Sequence, residues 1–110
     1  MSCLKKIELL PMEGAISQVV KAMLFTIAAE RAAGTRLLKI HYGEEKTLKL
    51  RVFRELKRLK GEGRLVCYFS SEKFTSSYGE SLYLVDKFPT IADDELFDKG
   101  DGGYAILFLG

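Results

Sequence analysis

The sequence predicts a single α/β domain in which a mixed sheet of about four strands carries two main helices. Three observations predict this fold class. Short apolar segments alternate with two long helical patterns. The length of 110 residues suits one domain, and the 47% hydrophobic and 29% charged residues are typical of an ordinary globular protein. Two amphipathic helices with one sheet to cover predict two layers, in the order β-α-β-α-β-β.

The first half of the chain has a β-α-β pattern. Lys6–Leu10 is a short apolar strand, and Arg36–Ile40 is a second one. Between them, Ala15–Ala33 has helical periodicity and ends at Gly34. Its predicted buried face consists of Ile16, Val20, Met23, Leu24 and Ile27. We therefore expect the two strands to be parallel, joined by a right-handed crossover.

The second half begins with a predicted helix at Glu45–Lys60. Its buried stripe consists of Leu48, Val52, Leu56 and Leu59. The strand Arg64–Phe69 is apolar on both faces, as expected of a central strand. No helix of crossover length precedes the last strand, Tyr104–Leu109, so we expect it to pair antiparallel.

An excursion of uncertain pattern separates these last two strands, roughly Ser71–Phe97. Within it, Ser81–Val85 has the composition of a strand and Ile91–Phe97 that of a short helix. The sequence thus predicts one domain over residues 1–110 with an insertion before its last strand.

The only histidine, His41, follows the second predicted strand. In open α/β sheets, ligands bind at the carboxyl ends of strands, where a histidine can contact phosphate or transfer protons. The other interpretation is a structural histidine that bonds to neighbouring backbone. Glu44 and Glu45, in the turn after His41, favour a structural role for this turn, because carboxylates in the first turn of a helix complement its dipole and repel a phosphate.

The second helix is strongly basic. Between Lys46 and Arg64 there are eight basic and two acidic residues, whereas Leu65–Gly110 has three basic and eight acidic ones. A net charge of +2 thus conceals a polarised molecule. A basic helix face suits phosphate contacts, and the alternative is a solvated face that keeps the protein soluble. The candidate nucleic-acid-binding residues are Lys46, Lys49, Arg51, Arg54, Lys57 and Arg58.

The first helix has apolar residues on its outer face as well, where an amphipathic helix would carry charges. Ala22, Phe25 and Ala29 indicate a second contact, made either by the excursion or by another subunit. We favour a homo-oligomer.

Metal, disulfide and membrane sites are not indicated. Cys3 and Cys67 have no metal-ligand spacing with His41, so we expect free thiols in a reducing compartment, no cofactor and a cytoplasmic location. The longest apolar stretch, Ala22–Ala29, is far shorter than the ~20 residues that span a bilayer.

The segment "KIHYGEEKTLKLRV" and the final "GDGGYAILFL" resemble two motifs of the small MutS-related (Smr) domain. His41, Leu48 and Val52 lie on the histidine, leucine and valine of the motif I-H-G-x-G followed by L-R-x-x-V, and Lys49 lies on its arginine. In the family's first motif, L-D-x-H-G, this chain has Glu8 at the aspartate. The resemblance implies a nucleic-acid-binding domain of a family in which some members cleave DNA or RNA, and it makes His41 and Glu8 the candidate catalytic residues at the border of the site.

The family's first motif has a histidine and a glycine where this chain has Leu10 and Pro11. Its second motif has glycines at the positions of Tyr42 and Glu44. These departures argue against nuclease activity. The predicted function is therefore DNA or RNA binding through a basic helix. The alternative is a non-catalytic interaction or self-assembly domain that uses the Phe25 face and the charge polarity.

Overall fold

A computed structural model describes residues 4–9 and 15–110 of the chain. The elements in chain order are β1 (Lys5–Glu8), α1 (Ile16–Ala32), β2 (Leu37–His41), α2 (Lys46–Gly61), β3 (Cys67–Ser70), α3 (Gly79–Lys87) and β4 (Tyr104–Phe108), with single 3₁₀ turns at Ser71–Lys73 and Pro89–Asp93. The predicted mixed α/β fold with a four-stranded sheet is confirmed.

The strand order in the sheet is β1-β2-β4-β3. Strands β1 and β2 are parallel, and β4 is antiparallel to both of its neighbours, as predicted for the last strand. The prediction that Arg64–Phe69 is central is wrong. This segment begins its strand only at Cys67, and β3 lies at the edge, because β4 inserts between it and β2.

Both long helices end in the same way. The N–H of Thr35 donates to Glu30 O after α1, and the N–H of Arg64 donates to Leu59 O after α2. Each of these two turns requires a residue in the left-handed region of backbone conformation. After α1, Gly34 is that residue, with φ of 88°. These Schellman ends explain why each helix stops where the sequence predicts, within a residue or two.

Helices α1 and α2 cover one face of the sheet. Their buried residues pack against alternate strand residues in a first core, which consists of Val20, Met23, Ile27, Leu38, Ile40, Tyr42, Leu48, Val52, Leu56, Leu59, Leu65, Ala105, Leu107 and Leu109. The predicted buried stripe of α2 is fully present in this core. On α1, Ile16 and Leu24 are only partly buried.

The excursion covers the opposite face. A second core there consists of Leu4, Leu37, Cys67, Phe69, Phe74, Leu84, Ile91, Leu96, Ile106 and Phe108. The excursion therefore adds a third layer that the two-layer prediction did not include. Ser81–Val85 lies within α3 and is not a strand, and Ile91–Phe97 forms part of a 3₁₀ turn followed by further turns.

Candidate functional site

His41 is the last residue of β2, and its register partners bring two further polar side chains beside it. Glu8 is paired with His41 on β1, and Tyr104 is paired with it on β4. All three side chains point to the face that holds the second core, because residues two apart in a strand share a face. They form a row across three strands at the end of the sheet that the excursion leaves accessible, with a quarter of the His41 side chain exposed.

The members of this row are in direct contact. Nδ1 of His41 lies within hydrogen-bond reach of Glu8 Oε1. The His41 and Tyr104 rings are stacked, with centroids 4.4 Å apart and an interplanar angle of 21°. Lys6 Nζ is 3.4 Å from Glu8 Oε2 and 5.6 Å from the centre of the Tyr104 ring. We call Lys6, Glu8, His41 and Tyr104 the sheet-end cluster.

The charges of this cluster support one another. Partial burial alone would raise the pKa of Glu8, but the hydrogen bond and charge of His41, together with Lys6, bring that pKa below its ordinary value of 4.5. The pKa of Lys6 is raised, first by the Tyr104 hydroxyl and then by Glu8. The cluster therefore holds a carboxylate and an ammonium around an imidazole and a phenol.

Two loops hold His41 in place. The N–H groups of Tyr42 and Gly43 both donate to Gly103 O, at 2.8 and 3.1 Å. The loop around Gly103 is in turn fixed by Ser71, whose buried hydroxyl donates to Asp101 O and accepts from the N–H of Tyr104. The end of β2 and the start of β4 are thus tied to the first turn of the excursion.

The cluster can bind an anion or move a proton. A carboxylate on Nδ1 of a histidine fixes the ring's tautomer and orientation, which leaves Nε2 as the nitrogen that can reach a ligand. The sequence predicted Glu8 and His41, and the structure brings them together; their catalytic role stays a prediction. Lys6 and Tyr104 were not predicted from the sequence. Lys6 is two residues before Glu8 on the same face of β1, and Tyr104 is the first residue of β4. Both become neighbours of His41 once the strand order is known.

The turn between β2 and α2 is built to start a helix. Glu45 is the N-cap of α2, and its side chain accepts a hydrogen bond of 3.1 Å from the N–H of Thr47. Glu45 therefore lies at the start of α2, but it is the N-cap and not part of the first turn, and Glu44 precedes the helix. Because the carboxylate occupies the helix N-terminus, a phosphate does not fit there. Within residues 4–9 and 15–110, no three His, Cys, Asp or Glu side chains come close enough together to hold a metal ion.

The six predicted basic residues of α2 divide into two groups. Arg58 is neutralised by Glu55 and Glu62, each 2.7 Å away, and Lys49 pairs with Glu72 at 3.1 Å. The other four have no carboxylate of the described residues within 4 Å. We call these four the basic helix face: Lys46, Arg51, Arg54 and Lys57.

Most of this face points into solvent. Lys46, Arg54 and Lys57 are exposed, and Arg51 is half-buried. Their spacing of three or four residues places Lys46, Arg54 and Lys57 along one stripe of the helix, together with Leu50, whose side chain is 72% exposed. The arrangement presents a row of cations along about three helical turns.

The outer face of α1 is also open. Phe25 is 78% exposed, and Ala22 and Ala29 beside it are exposed as well. Of the two predicted coverings, the excursion is ruled out, because it packs on the other side of the sheet. The role of this face in an oligomer stays a prediction.

Leu10 and Pro11, two positions at which the sequence departs from the Smr motif, lie outside the described residues, as does Cys3. Of the described helices, none has both the length and the apolar character that a membrane crossing requires. In comparisons with known proteins, no family model, no curated protein and no solved structure matches this chain. The Smr resemblance is therefore a prediction based on the residues alone.

Proposed function

We propose that this protein binds nucleic acid and that the basic helix face contacts the phosphates. The observation that carries the proposal is a group of four cations on α2, three of them along one stripe, without carboxylate partners within 4 Å among the described residues. A surface that only has to be soluble gains from mixed charges, which pair as Arg58 does with Glu55 and Glu62. Clustered, unpaired cations instead favour a polyanion.

The number of cations sets the expected salt dependence. If four phosphates are neutralised, binding to duplex DNA falls with a log–log slope of about −3.6, and binding to a single strand with about −2.8. Between 50 and 200 mM salt, the affinity then falls roughly 50- to 150-fold. A slope near zero would be incompatible with phosphate contacts.

A fluorescence-anisotropy titration tests this proposal, with labelled RNA and DNA, single- and double-stranded, at 50 and 200 mM salt. Arg54→Glu/Lys57→Glu should weaken binding by at least tenfold, because it removes two phosphate contacts and adds repulsion. The matched control is Lys21→Glu/Lys99→Glu, which makes the same charge change at exposed lysines outside α2. The proposal fails if no nucleic acid binds at 50 mM salt, or if both double variants lose the same affinity.

The sheet-end cluster supports a phosphate contact by His41 better than it supports cleavage. Proton transfer to and from a phosphodiester requires an acid and a base that are both free to act. Here Glu8 is already bonded to the only imidazole and to Lys6. We therefore propose binding without nuclease activity, in a reducing compartment such as the cytoplasm, which suits the free thiol of Cys67.

A second candidate function is self-assembly through the outer face of α1. The observation that favours it is the exposure of Phe25 among alanines, since a large apolar side chain at 78% exposure gains from a partner. The acidic second half and the basic α2 would add charge complementarity between copies.

Sedimentation analysis of the wild type and of Phe25→Glu tests this second candidate. The variant should remain folded but sediment as a monomer, whereas Lys99→Glu, at an exposed position outside α1, should leave the assembly intact. A wild-type protein that is monomeric at high concentration would remove this candidate.

A further inference from the structure

Strand β3 is an open sheet edge. It pairs with β4 on one side, and no other described strand pairs with its opposite side. Open edges present unpaired backbone groups to solvent, so proteins usually cover or block them. The four residues of β3 contain no proline, and the edge opens into a groove.

The register shows which backbone groups point outward. The N–H of Leu109 donates to Arg36 O, next to β2. Alternate residues of a strand direct their backbone N–H and C=O groups to opposite neighbours. The odd residues of β4 therefore bond to β2, and its even residues bond to β3. The even residues Phe108 and Ile106 are paired with Cys67 and Phe69. The backbone N–H and C=O of Tyr68 and the N–H of Ser70 therefore point away from the sheet.

Two walls flank this edge and form a groove of about 530 Å³. One wall is the side of α2 that faces β3, and the other is the start of the excursion. The α2 wall consists of Lys49, Phe53 and Lys60, and the opposite wall consists of Glu72, Lys73, Tyr78 and Glu80. We call this space the edge groove.

Outside the Lys49–Glu72 pair, the edge groove has two cations, Lys60 and Lys73, and one carboxylate, Glu80, so its net charge is positive. The Lys49–Glu72 pair neutralises itself and joins the two walls. Lys60 and Lys73 have no carboxylate of the described residues within 4 Å, and each lies over an aromatic ring, Tyr68 at 6.0 Å and Tyr78 at 5.3 Å. One cation thus stands on each wall, on either side of the open edge.

We propose that the edge groove binds an extended acidic peptide, which adds to β3 as a fifth strand. Adjacent side chains of an added strand point to opposite sides of the sheet. Two neighbouring acidic residues therefore reach Lys60 on one wall and Lys73 on the other. The peptide backbone meanwhile bonds to Tyr68 and Ser70. This surface adjoins the basic helix face, since Lys57 and Lys60 are one helical turn apart, but the proposal does not depend on nucleic-acid binding.

An extended peptide fits these features better than a nucleic acid does. A polyanion gains from a continuous row of cations, but in the edge groove Glu72 and Glu80 stand between them. Main-chain pairing also uses the open edge, which a phosphate backbone cannot do.

A binding assay with one designed probe tests the proposal. The probe is a fluorescein-labelled hexapeptide with two adjacent glutamates between valines, and the control probe has lysines in place of the glutamates. The variant is Ser70→Pro, because Ser70 has φ of −74°, which proline adopts, and its N–H points to the open side of the edge strand. We expect the variant to bind the acidic probe at least about tenfold more weakly, since a backbone donor is lost and the proline ring blocks pairing.

Three further measurements make the outcome decisive. Ala15→Pro, at an exposed position with φ of −67°, is the matched proline control and should bind the probe normally. Lys60→Glu/Lys73→Glu should abolish the preference for the acidic probe. Arg54→Glu should leave peptide binding unchanged, because residue 54 is not three or four positions from Lys49, Phe53 or Lys60, and this separates the proposal from nucleic-acid binding.

Four results would overturn the peptide proposal: no binding of the acidic probe, equal binding by Ser70→Pro, displacement of the probe by a single-stranded oligonucleotide, or a wild-type dimer that Ser70→Pro converts to a monomer. The last two results would assign the edge groove to nucleic acid or to a second copy of this chain.

Discussion

The two faces of the sheet are covered in different ways. On the first face, two helices of 17 and 16 residues bury a core in which every buried side chain is apolar or aromatic. On the second face, the irregular excursion covers the sheet only in part. It buries an ion pair, Lys39 with Asp94, and leaves the sheet-end cluster accessible.

The difference follows from the lengths of the covering elements. A helix of four turns spans the full strand length, so it needs only an apolar stripe. The excursion has one helix of nine residues and two 3₁₀ turns. These elements cover the sheet at Leu37 and Lys39 but leave it accessible at His41. Polar groups are therefore found on the face of the sheet that is covered by the shorter elements of the excursion.

The Lys39–Asp94 pair offers the strongest test of this contrast. The Lys39 side chain is 11% exposed. After Asp94→Ala, its remaining carboxylate partner among the described residues is the exposed Glu95, at 3.9 Å. Removing one partner of a buried ion pair lowers the free energy of unfolding by about 3 to 5 kcal/mol. For Asp94→Ala we expect a decrease near the lower limit of this range, measured by urea unfolding.

Two variants complete this test. Asp93→Ala, at the exposed neighbouring position, should change the free energy of unfolding very little. Lys39→Met/Asp94→Asn should recover most of the stability, because it leaves no uncompensated charge and keeps an oxygen that accepts from the N–H of Leu96. Equal stability of Asp94→Ala and the wild type would mean that the pair is not buried in solution.

The second test compares the two cores directly with the same substitution. Leu48 in α2 and Leu84 in α3 are both fully buried. Each Leu→Ala change should cost about 2 to 5 kcal/mol, with one cooperative unfolding transition. If Leu84→Ala costs far less, or gives a separate early transition, the excursion is not part of the cooperative fold.

The smallest expected effect is the pH dependence contributed by Glu8. The pKa of Glu8 is lower in the folded state than the ordinary 4.5, so the unfolded chain takes up the proton first as the pH falls. The stabilisation by Glu8 is complete above pH 4.5 and disappears as the pH falls through the folded pKa. Between pH 6 and 3, the wild type should therefore lose more stability in urea titrations than Glu8→Gln. Parallel curves would show that Glu8 does not interact with His41 and Lys6 in solution.

Much of the fold was predictable from local patterns. The two helices have apolar residues at helical spacing and glycine ends, so their bounds agree with the prediction within one or two residues. The strand order was not predictable. Strand β3 has the apolar composition of a central strand, but it lies at the edge, and the excursion buries one of its faces. The Ser81–Val85 segment has strand-like composition, but it packs as a helix through Ser81 and Leu84, which three-residue spacing brings to one face.

The candidate site was predictable in part. His41 follows from its position at the end of a strand, where open α/β sheets bind ligands, and Glu8 follows only from the resemblance to the Smr motif. Tyr104 joins them only because β4 runs antiparallel beside β2 and so brings its first residue to that edge. Likewise, the sequence shows the excess of basic residues on α2, but only side-chain contacts show that Lys49 and Arg58 are paired while Lys46, Arg54 and Lys57 are not.

The sequence by itself determined the α/β class, the two covering helices, a carboxylate at the start of α2 and the charge polarity, because each depends on local composition and on neighbours within one or two helical turns. The tertiary structure decided which strand is at the edge, which face the excursion covers and which polar side chains meet. These features depend on pairings between residues far apart in the chain, such as Glu8 with His41 and Phe69 with Ile106. Local periodicity holds no information about such pairings, since a strand pattern specifies its faces but not its neighbours.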